Sequence, residues 1–363
     1  MTAQPTPQPG VLDIKAYVPG AAKATGEGPV YKLSSNEACF PPSEAAQEAI
    51  REAAARMDLY PDGAATALRE ELAKRHGLDA ARIVCGAGSD ELLNLLAQAY
   101  VGVGDAIVQS EHGFLVYAIA AMANGGRAVK APERDYRADI DALLAAVDET
   151  TRIVFLANPN NPTGTYVTGA ELRRLRDELR EDVLLVVDAA YAEYVDAPDY
   201  EDGAQMVEDY DNVVMTRTFS KAYGLGGLRL GWAYGPAAVI DALNRIRGPF
   251  NVSAPAIAGG VAALRDRDHV ARVVAHTNEW RAWLAQQIGG LGLKTTPSVC
   301  NFVLIDFSGH GDKTAAAAEK FLAARGVLTR GVAAYGLPDH LRVSVGTEEA
   351  NRTFINALSE FLS

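Results

Sequence analysis

The chain has 363 residues, of which 48% are hydrophobic and 22% charged, and its formal net charge is −12. That length allows two domains, or one large α/β domain with a smaller lobe, and the composition suits a soluble globular protein with a real core. The acidic balance argues against a nucleic-acid groove or an anionic membrane surface as the main partner, but leaves room for a local basic pocket for a small anion.

Along the chain, residues 1 to about 10 are polar and proline-rich and are expected to be disordered. They carry neither the basic nor the apolar region of a secretory signal, and no apolar run in the chain is long enough to span a bilayer. A cytoplasmic protein is expected. Residues 11–42 hold several Gly and Pro with little periodicity, as in an extended arm lying on another surface. Helical spacing marks Ala64–His76. Arg82–Cys85 reads as a short strand that ends in the glycine-rich turn Gly86-Ala-Gly-Ser-Asp90, with a helix over Glu91–Tyr100.

Four further apolar runs, Ala106–Gln109, Ile153–Ala157, Val183–Val187 and Val213–Thr216, suit strands buried on both faces of a parallel sheet. Between two of them, Thr168-Gly-Ala-Glu171 spells a capping box, and Leu172, Leu175 and Leu179 mark the apolar stripe of a crossover helix. Beyond about 250 the pattern changes. A long helical stretch to about 288 precedes strands at Phe302–Asp306, Val327–Arg330 and Leu341–Val345 and a terminal helix. The fold class is α/β: a large domain (43–250) with a mostly parallel sheet sandwiched by helices, and a smaller α+β domain (251–363) joined by the N-terminal arm (1–42).

Cys39, Cys85 and Cys300 stand far apart without CxxC spacing, which fits free thiols in a reducing compartment. The six histidines form no HExxH or Cys/His cluster, so no metal site is expected.

The chemistry gathers at strand ends, where open α/β sheets bind ligands. Thr218-Phe-Ser-Lys221 follows one strand and leads into Gly224-Leu-Gly-Gly-Leu-Arg229. A lysine there can form a Schiff base with an aldehyde cofactor, while Thr218, Ser220 and Arg229 supply donors for a phosphate. Asp188 and Tyr191 follow a second strand. The carboxylate could pair with a protonated pyridine nitrogen and the phenol with a ring hydroxyl, although a cap and a core tyrosine remain the plain reading. Asn158-Pro-Asn-Asn-Pro-Thr-Gly164 makes a tight turn from which Asn161 could also donate to a ring oxygen. Gly86-Ala-Gly-Ser89-Asp90 opens a helix whose amides could bind phosphate, but it lacks the third glycine of a dinucleotide fingerprint.

Jointly and in this order, these strings resemble the fold-type I aminotransferases that depend on pyridoxal 5′-phosphate (PLP). With KLSSNE (32–37), YPD (60–62) and RGVAAYGLPDHLRVSVGT (330–347), the likeness is greatest to histidinol-phosphate aminotransferases. The resemblance implies that Lys221 is the Schiff-base lysine and proton shuttle, that Asp188 holds the pyridinium, and that Asn161 and Tyr191 hold the ring oxygen. It implies a phosphate cradle of Ser89 and Asp90 (through backbone amides), Thr218, Ser220 and Arg229, with Phe114 stacked on the ring. Tyr60 would reach the neighbouring subunit's phosphate in a homodimer. Arg342 would bind the substrate carboxylate, and Arg330 and Tyr17 would contact the rest of the substrate.

The implied partners are an amino donor and a 2-oxo acid acceptor. Two departures stand out: Ala189 where the family usually has Glu, and Phe114 where Tyr is commoner. His112 is left open between lining the site and being a satisfied structural histidine. A broad aromatic aminotransferase, a phosphothreonine-type decarboxylase and a PLP-binding regulatory module remain as alternatives, the last lacking a DNA-binding segment.

Overall fold

Caps and glycines divide the first half of the chain into short alternating elements. The computed structural model describes residues 5–20 and 28–363; the parts of the expected disordered start and arm at 1–4 and 21–27 lie outside the described residues. Strand β1 (Tyr31–Lys32) leads to α1 (Glu44–Ala54), which Ser43 caps by accepting the Ala46 amide, and to α2 (Thr66–His76). Then follow β2 (Ile83–Gly86), α3 (Ser89–Tyr100), β3 (Ala106–Ser110), α4 (Leu115–Ala123) and β4 (Arg127–Ala131). A small hairpin, β5 (Glu133–Arg134) with β6 (Arg137–Ala138), precedes α5 (Ile140–Ala145).

Strand β7 (Thr151–Ala157) comes next, and then α6 (Gly169–Glu178), whose first turn is closed by the capping box of Thr168 and Glu171. The large lobe continues through β8 (Leu184–Asp188), α7 (Met206–Asp209), β9 (Val213–Thr218), β10 (Gly231–Tyr234) and α8 (Ala237–Ile246).

Seven of these strands form one sheet in the order β2-β10-β9-β8-β7-β3-β4. β10 runs antiparallel to both its neighbours, and every other adjacent pair is parallel. The continuous apolar runs are explained by burial on both faces. In β7, Val154 and Leu156 enter one hydrophobic cluster, and Ile153 and Phe155 enter the cluster on the opposite face. Two strands escape the apolar pattern. β10 is only four residues long, and β4 lies at the sheet edge with its charged residues partly exposed.

Helix α9 (Ala254–Arg265) follows, and the second lobe is built from α10 (Arg267–Gly290), β11 (Lys294–Thr295), β12 (Phe302–Asp306), α11 (Ala315–Ala323), β13 (Val327–Leu328), β14 (Arg330–Val332), β15 (Leu337–Ser344) and α12 (Glu348–Leu362). Its sheet has the order β11-β12-β15-β14, covered by residues of α10, α11 and α12. β13 instead pairs in parallel with β1, which fastens the N-terminal arm to this lobe.

Three expectations are corrected. The single helical stretch to about 288 is two helices, broken at Asp266, which ends α9 and caps α10 by accepting the His269 amide. The strand expected over Val327–Arg330 is split between two sheets, and the strand expected from Leu341 starts at Leu337. Helix α9 also packs on α1 and α2, and its Ala256, Ala263 and Leu264 belong to the large lobe's core. Cys85 and Cys300 are buried free thiols, and Cys39 is half-buried and free.

Candidate active site

Five strand ends of the large sheet open onto one cleft of about 290 Å³, which the small lobe and the residues around Tyr17 close from the other side. Thirteen of the fourteen expected site residues line it: Tyr17, Ser89, Asp90, Phe114, Asn161, Asp188, Tyr191, Thr218, Ser220, Lys221, Arg229, Arg330 and Arg342. The exception is Tyr60. It is 83% exposed, its ring stacks on Phe250 at 4.6 Å, and it does not line this chain's own cleft.

Lys221 follows the last residues of β9 and is held in a turn in which Gly224, at φ 70°, donates its amide to the Lys221 carbonyl. Its Nζ donates to the carbonyls of Asn36 at 3.2 Å and Ser35 at 3.5 Å, and lies 5.5 Å from the Tyr191 ring centre. Burial lowers the amine to about 8, assisted by the nearby Arg342 charge. The neutral, nucleophilic form is therefore populated near neutral pH.

Asp188 ends β8 and is buried. Tyr117 Oη donates to its Oδ2 at 2.7 Å, and Thr216 Oγ1 donates to Oδ1 at 3.3 Å. Burial pushes this carboxyl up to about 6; the Tyr117 bond opposes the rise and the Asp90 charge adds to it. A buried carboxylate with too little positive charge around it is a fit partner for a protonated ring nitrogen. Tyr191 accepts a hydrogen bond from Asn36 Nδ2 at 2.9 Å, and its ring lies edge-on to Phe302. Asn161 Oδ1 accepts from Arg342 Nη1, which turns the Asn161 amide donors away from the guanidinium.

The other end of the cleft suits a phosphate. Helix α3 starts there behind Gly88, whose φ is 83°. A Cβ on Gly231 would lie 2.3 Å from the Ser89 nitrogen, so that position admits no side chain, while Gly88 is held at a positive φ and a Cβ there would displace the Arg229 guanidinium. Arg229, itself left-handed at φ 52°, donates to Ser220 Oγ at 3.2 Å and to Asp90 Oδ2 at 3.0 Å. Helix amides, a hydroxyl and a guanidinium thus converge at one end, with the buried carboxylate and the lowered lysine amine further along. PLP has an anionic phosphate, a basic ring nitrogen and an aldehyde, and these residues fit it. Asp90 also offers its side chain to Arg229, a contact that a reading of Asp90 as a backbone donor does not contain.

Three residues without an expected role complete the site. Asn36, left-handed at φ 53°, accepts from Lys221, donates to Tyr191 and is fixed by Ser344 Oγ at 2.8 Å from its amide. Thr216 stands directly opposite Asp188 in the β8–β9 register, so its contact follows once those strands are adjacent. Tyr117 lies one helical turn beyond Phe114, inside the run that reads simply as apolar. Ala189 is buried in the core with its amide bonded to the Thr216 carbonyl. His112 is buried but does not line the cleft; its Nδ1 is 2.7 Å from the Tyr335 carbonyl.

Comparison with known proteins gives a concordant result. The family model described as aminotransferase class I and II matches residues 29–358. A histidinol-phosphate aminotransferase of Maricaulis maris is 57% identical over 98% of this chain and 98% of its own length. One from Paramagnetospirillum magneticum is 53% identical over 100% of this chain and 99% of its own. Among solved structures, the histidinol-phosphate aminotransferase of Sinorhizobium meliloti in complex with pyridoxal-5′-phosphate superposes with a TM-score of 0.86 at 31% identity, covering 94% of this chain and 91% of that one. The aspartate aminotransferase of Thermus thermophilus with maleate, at 22% identity and a TM-score of 0.82 over 92% of each chain, shares the fold.

Proposed function

The chain belongs to the class I and II aminotransferases, and on that premise we propose that it is a PLP-dependent histidinol-phosphate transaminase, which moves an amino group from L-histidinol phosphate to 2-oxoglutarate. One observation carries the substrate class. Arg330 and Arg342 stand directly opposite each other on β14 and β15, and both line the cleft. Like charges in that register destabilise a sheet unless an anion lies between or beside them. A phosphate on the donor and carboxylates on the acceptor are such anions, and one guanidinium pair can receive either in turn.

The chain's own residues then divide the work. Ser89 and Asp90 through their amides, with Thr218, Ser220 and Arg229, would anchor the cofactor's phosphate. Phe114 would stack on its ring, Asn161 and Tyr191 would hold the ring oxygen, and Asp188 would keep the ring nitrogen protonated. When bound, the cofactor supplies an electron sink for the charge left at the substrate carbon. Lys221 would hold the cofactor through its side-chain amine, and that amine, when free, would take the proton from the substrate carbon and return it on the cofactor side. Arg342 and Arg330 orient the substrate for that transfer, and Tyr17 narrows the mouth of the cleft.

We further propose a cytoplasmic homodimer in which Tyr60 reaches the partner's phosphate end. Its support is the exposed cluster of Met57, Leu59, Tyr60 and Phe250, standing outside the chain's own site. Among the described residues no helix is long and apolar enough to cross a membrane. The packing of α9 favours dividing the two domains at the α9–α10 break rather than at 250, with the N-terminal arm joined to the small domain through β1.

The test is steady-state transamination to 2-oxoglutarate from histidinol phosphate, phenylalanine and threonine phosphate. Histidinol phosphate should have the highest kcat/KM. A preference for phenylalanine would make the protein an aromatic aminotransferase, and release of carbon dioxide from threonine phosphate would make it a decarboxylase.

A further inference from the structure

Between the end of β3 and the start of α4 the chain makes the tight turn Glu111-His112-Gly113, closed by the Gly113 amide on the Ser110 carbonyl at 2.9 Å. Phe114, which lines the cleft, is the next residue. His112 points the other way, into the joint between the lobes. Its backbone nitrogen donates to Glu133 Oε1 at 3.1 Å, and its carbonyl accepts from Asn160 Nδ2 at 3.4 Å, so the large lobe fixes its backbone on two sides. Its Nδ1 lies 2.7 Å from the carbonyl oxygen of Tyr335. A carbonyl can only accept, so Nδ1 carries a proton and donates.

Tyr335 belongs to the turn Ala333–Tyr335 that joins β14 to β15, the two strands that carry Arg330 and Arg342. The Tyr335 side chain is buried in a small cluster with Leu304, Val332 and Leu337, against which Leu115 and Tyr136 of the large lobe pack. Gly336, at φ 85°, lies over the imidazole, where a Cβ would come 3.5 Å from Nδ1. The imidazole therefore grips the tip of the arginine-bearing hairpin from the same short turn that presents Phe114 to the cleft.

We propose that His112 is a positioning residue for substrate: by donating to the Tyr335 carbonyl it fixes the β14–β15 hairpin, and with it Arg330 and Arg342, against the wall of the cleft formed by Phe114. This rests on the transaminase reading for its kinetic consequence but not for its structural one. His112 touches neither the phosphate end nor Lys221 in the contacts above, so the effect belongs to substrate binding rather than to cofactor binding or to proton transfer.

Three substitutions separate the bond from the bulk. His112→Phe keeps the ring and removes the donor, His112→Asn keeps a donor near the place of Nδ1, and His112→Gln moves the donor outward. Removing a donor from a buried carbonyl is expected to raise KM for donor and acceptor alike by about tenfold in the Phe and Gln variants, with kcat within about twofold. The Asn variant should stay within about threefold of the parent in KM. PLP affinity, read from absorbance titration of the cofactor-free chain, should be unchanged in all three. Independently of any turnover, hydrogen exchange of the cofactor-free chain should quicken at residues 333–337 in the Phe and Gln variants and not in the Asn variant, with β12 unaffected.

The proposal is overturned if the Phe and Asn variants share one KM, if kcat falls while KM holds, or if exchange at 333–337 does not change. Should the parent chain neither bind PLP nor transaminate, the functional reading fails, and the exchange experiment still decides whether the clamp exists.

Discussion

Replacing Asp188 with Asn should separate what the site needs for chemistry from what the fold needs for stability. The carboxyl is buried, and its pKa is raised from 3.8 to about 6, chiefly by burial. A folded-state value above the unfolded one means that the protonated form suits the fold better. The associated stability is fully present below about pH 4 and is lost as pH rises through about 6, so at pH 8 the ionised group costs the cofactor-free chain stability. A rise of that size is worth roughly 3 kcal/mol. Asparagine keeps the shape, can accept from Tyr117 as Asp188 does, and removes the charge.

The cofactor-free Asp188→Asn chain should therefore be more stable than the parent to urea at pH 8, by up to roughly 3 kcal/mol, and no more stable at pH 4. In the loaded enzyme the sign reverses. Removing one member of a buried charged pair typically costs about 3–5 kcal/mol, which corresponds to roughly a 10²- to 10⁴-fold loss of kcat if the protonated ring is needed in the rate-limiting step. Matched urea titrations at the two pH values and steady-state rates measure both halves. Near-parental turnover, or lower stability at pH 8, would refute the assignment of Asp188 as an uncompensated charge waiting for the ring nitrogen.

Acylation of the cofactor-free chain, followed by peptide mass spectrometry, should show Lys221 reacting half-maximally near pH 8, where the amine is placed by burial; an ordinary midpoint near 10.4 would contradict that environment. Arg217→Met should destabilise the chain by about 3–5 kcal/mol in urea, because Arg217 is buried and bonds both Glu193 at 2.8 Å and Asp202 at 3.1 Å; an unchanged midpoint would show that the two acids find other partners. Arg342→Lys should lower kcat/KM for both substrates by roughly 10²-fold, since a point charge cannot reproduce the guanidinium's separate bonds to Asn161 and Ser34; an effect on one substrate only would break the shared-clamp argument. Mixing Tyr60→Ala and Lys221→Ala chains, if each alone is inactive, should restore about a quarter of parental activity through hybrid dimers with one intact site; no recovery would remove Tyr60 from the partner's site.

The large sheet was legible because its central strands are buried on both faces and read as unbroken apolar runs, each followed by a polar string at its carboxyl end. Lys221, Asp188 and Asn161 could be placed together from that order alone. β10 and β4 were not legible for the opposite reason: one is short and follows a glycine-rich turn, and the other is a partly exposed edge strand whose alternation is weak. Asn36 and Ser344 meet from more than three hundred positions apart, and only the pairing of β1 with β13 and the return of β15 brings them beside Lys221 and Tyr191.

Tyr117 was hidden by its own context. An aromatic in an apolar helical run signals core packing, and it does pack on Phe155, yet its hydroxyl also reaches Asp188. The α9–α10 break was hidden in the same way, because Asp266 interrupts a helical pattern that continues on both sides with no proline or glycine to mark the turn. His112 shows the limit of position as a guide: it is next but one to a cleft residue and faces the other way.

Borohydride reduction of the PLP-loaded protein followed by peptide mapping decides whether Lys221 is the covalent anchor of the cofactor in a transaminase. The cofactor's visible absorbance should be lost together with turnover, and a single pyridoxyl-modified peptide should carry its mass increment on Lys221. A modification at another lysine, or a fully active enzyme with Lys221 unmodified, would contradict it.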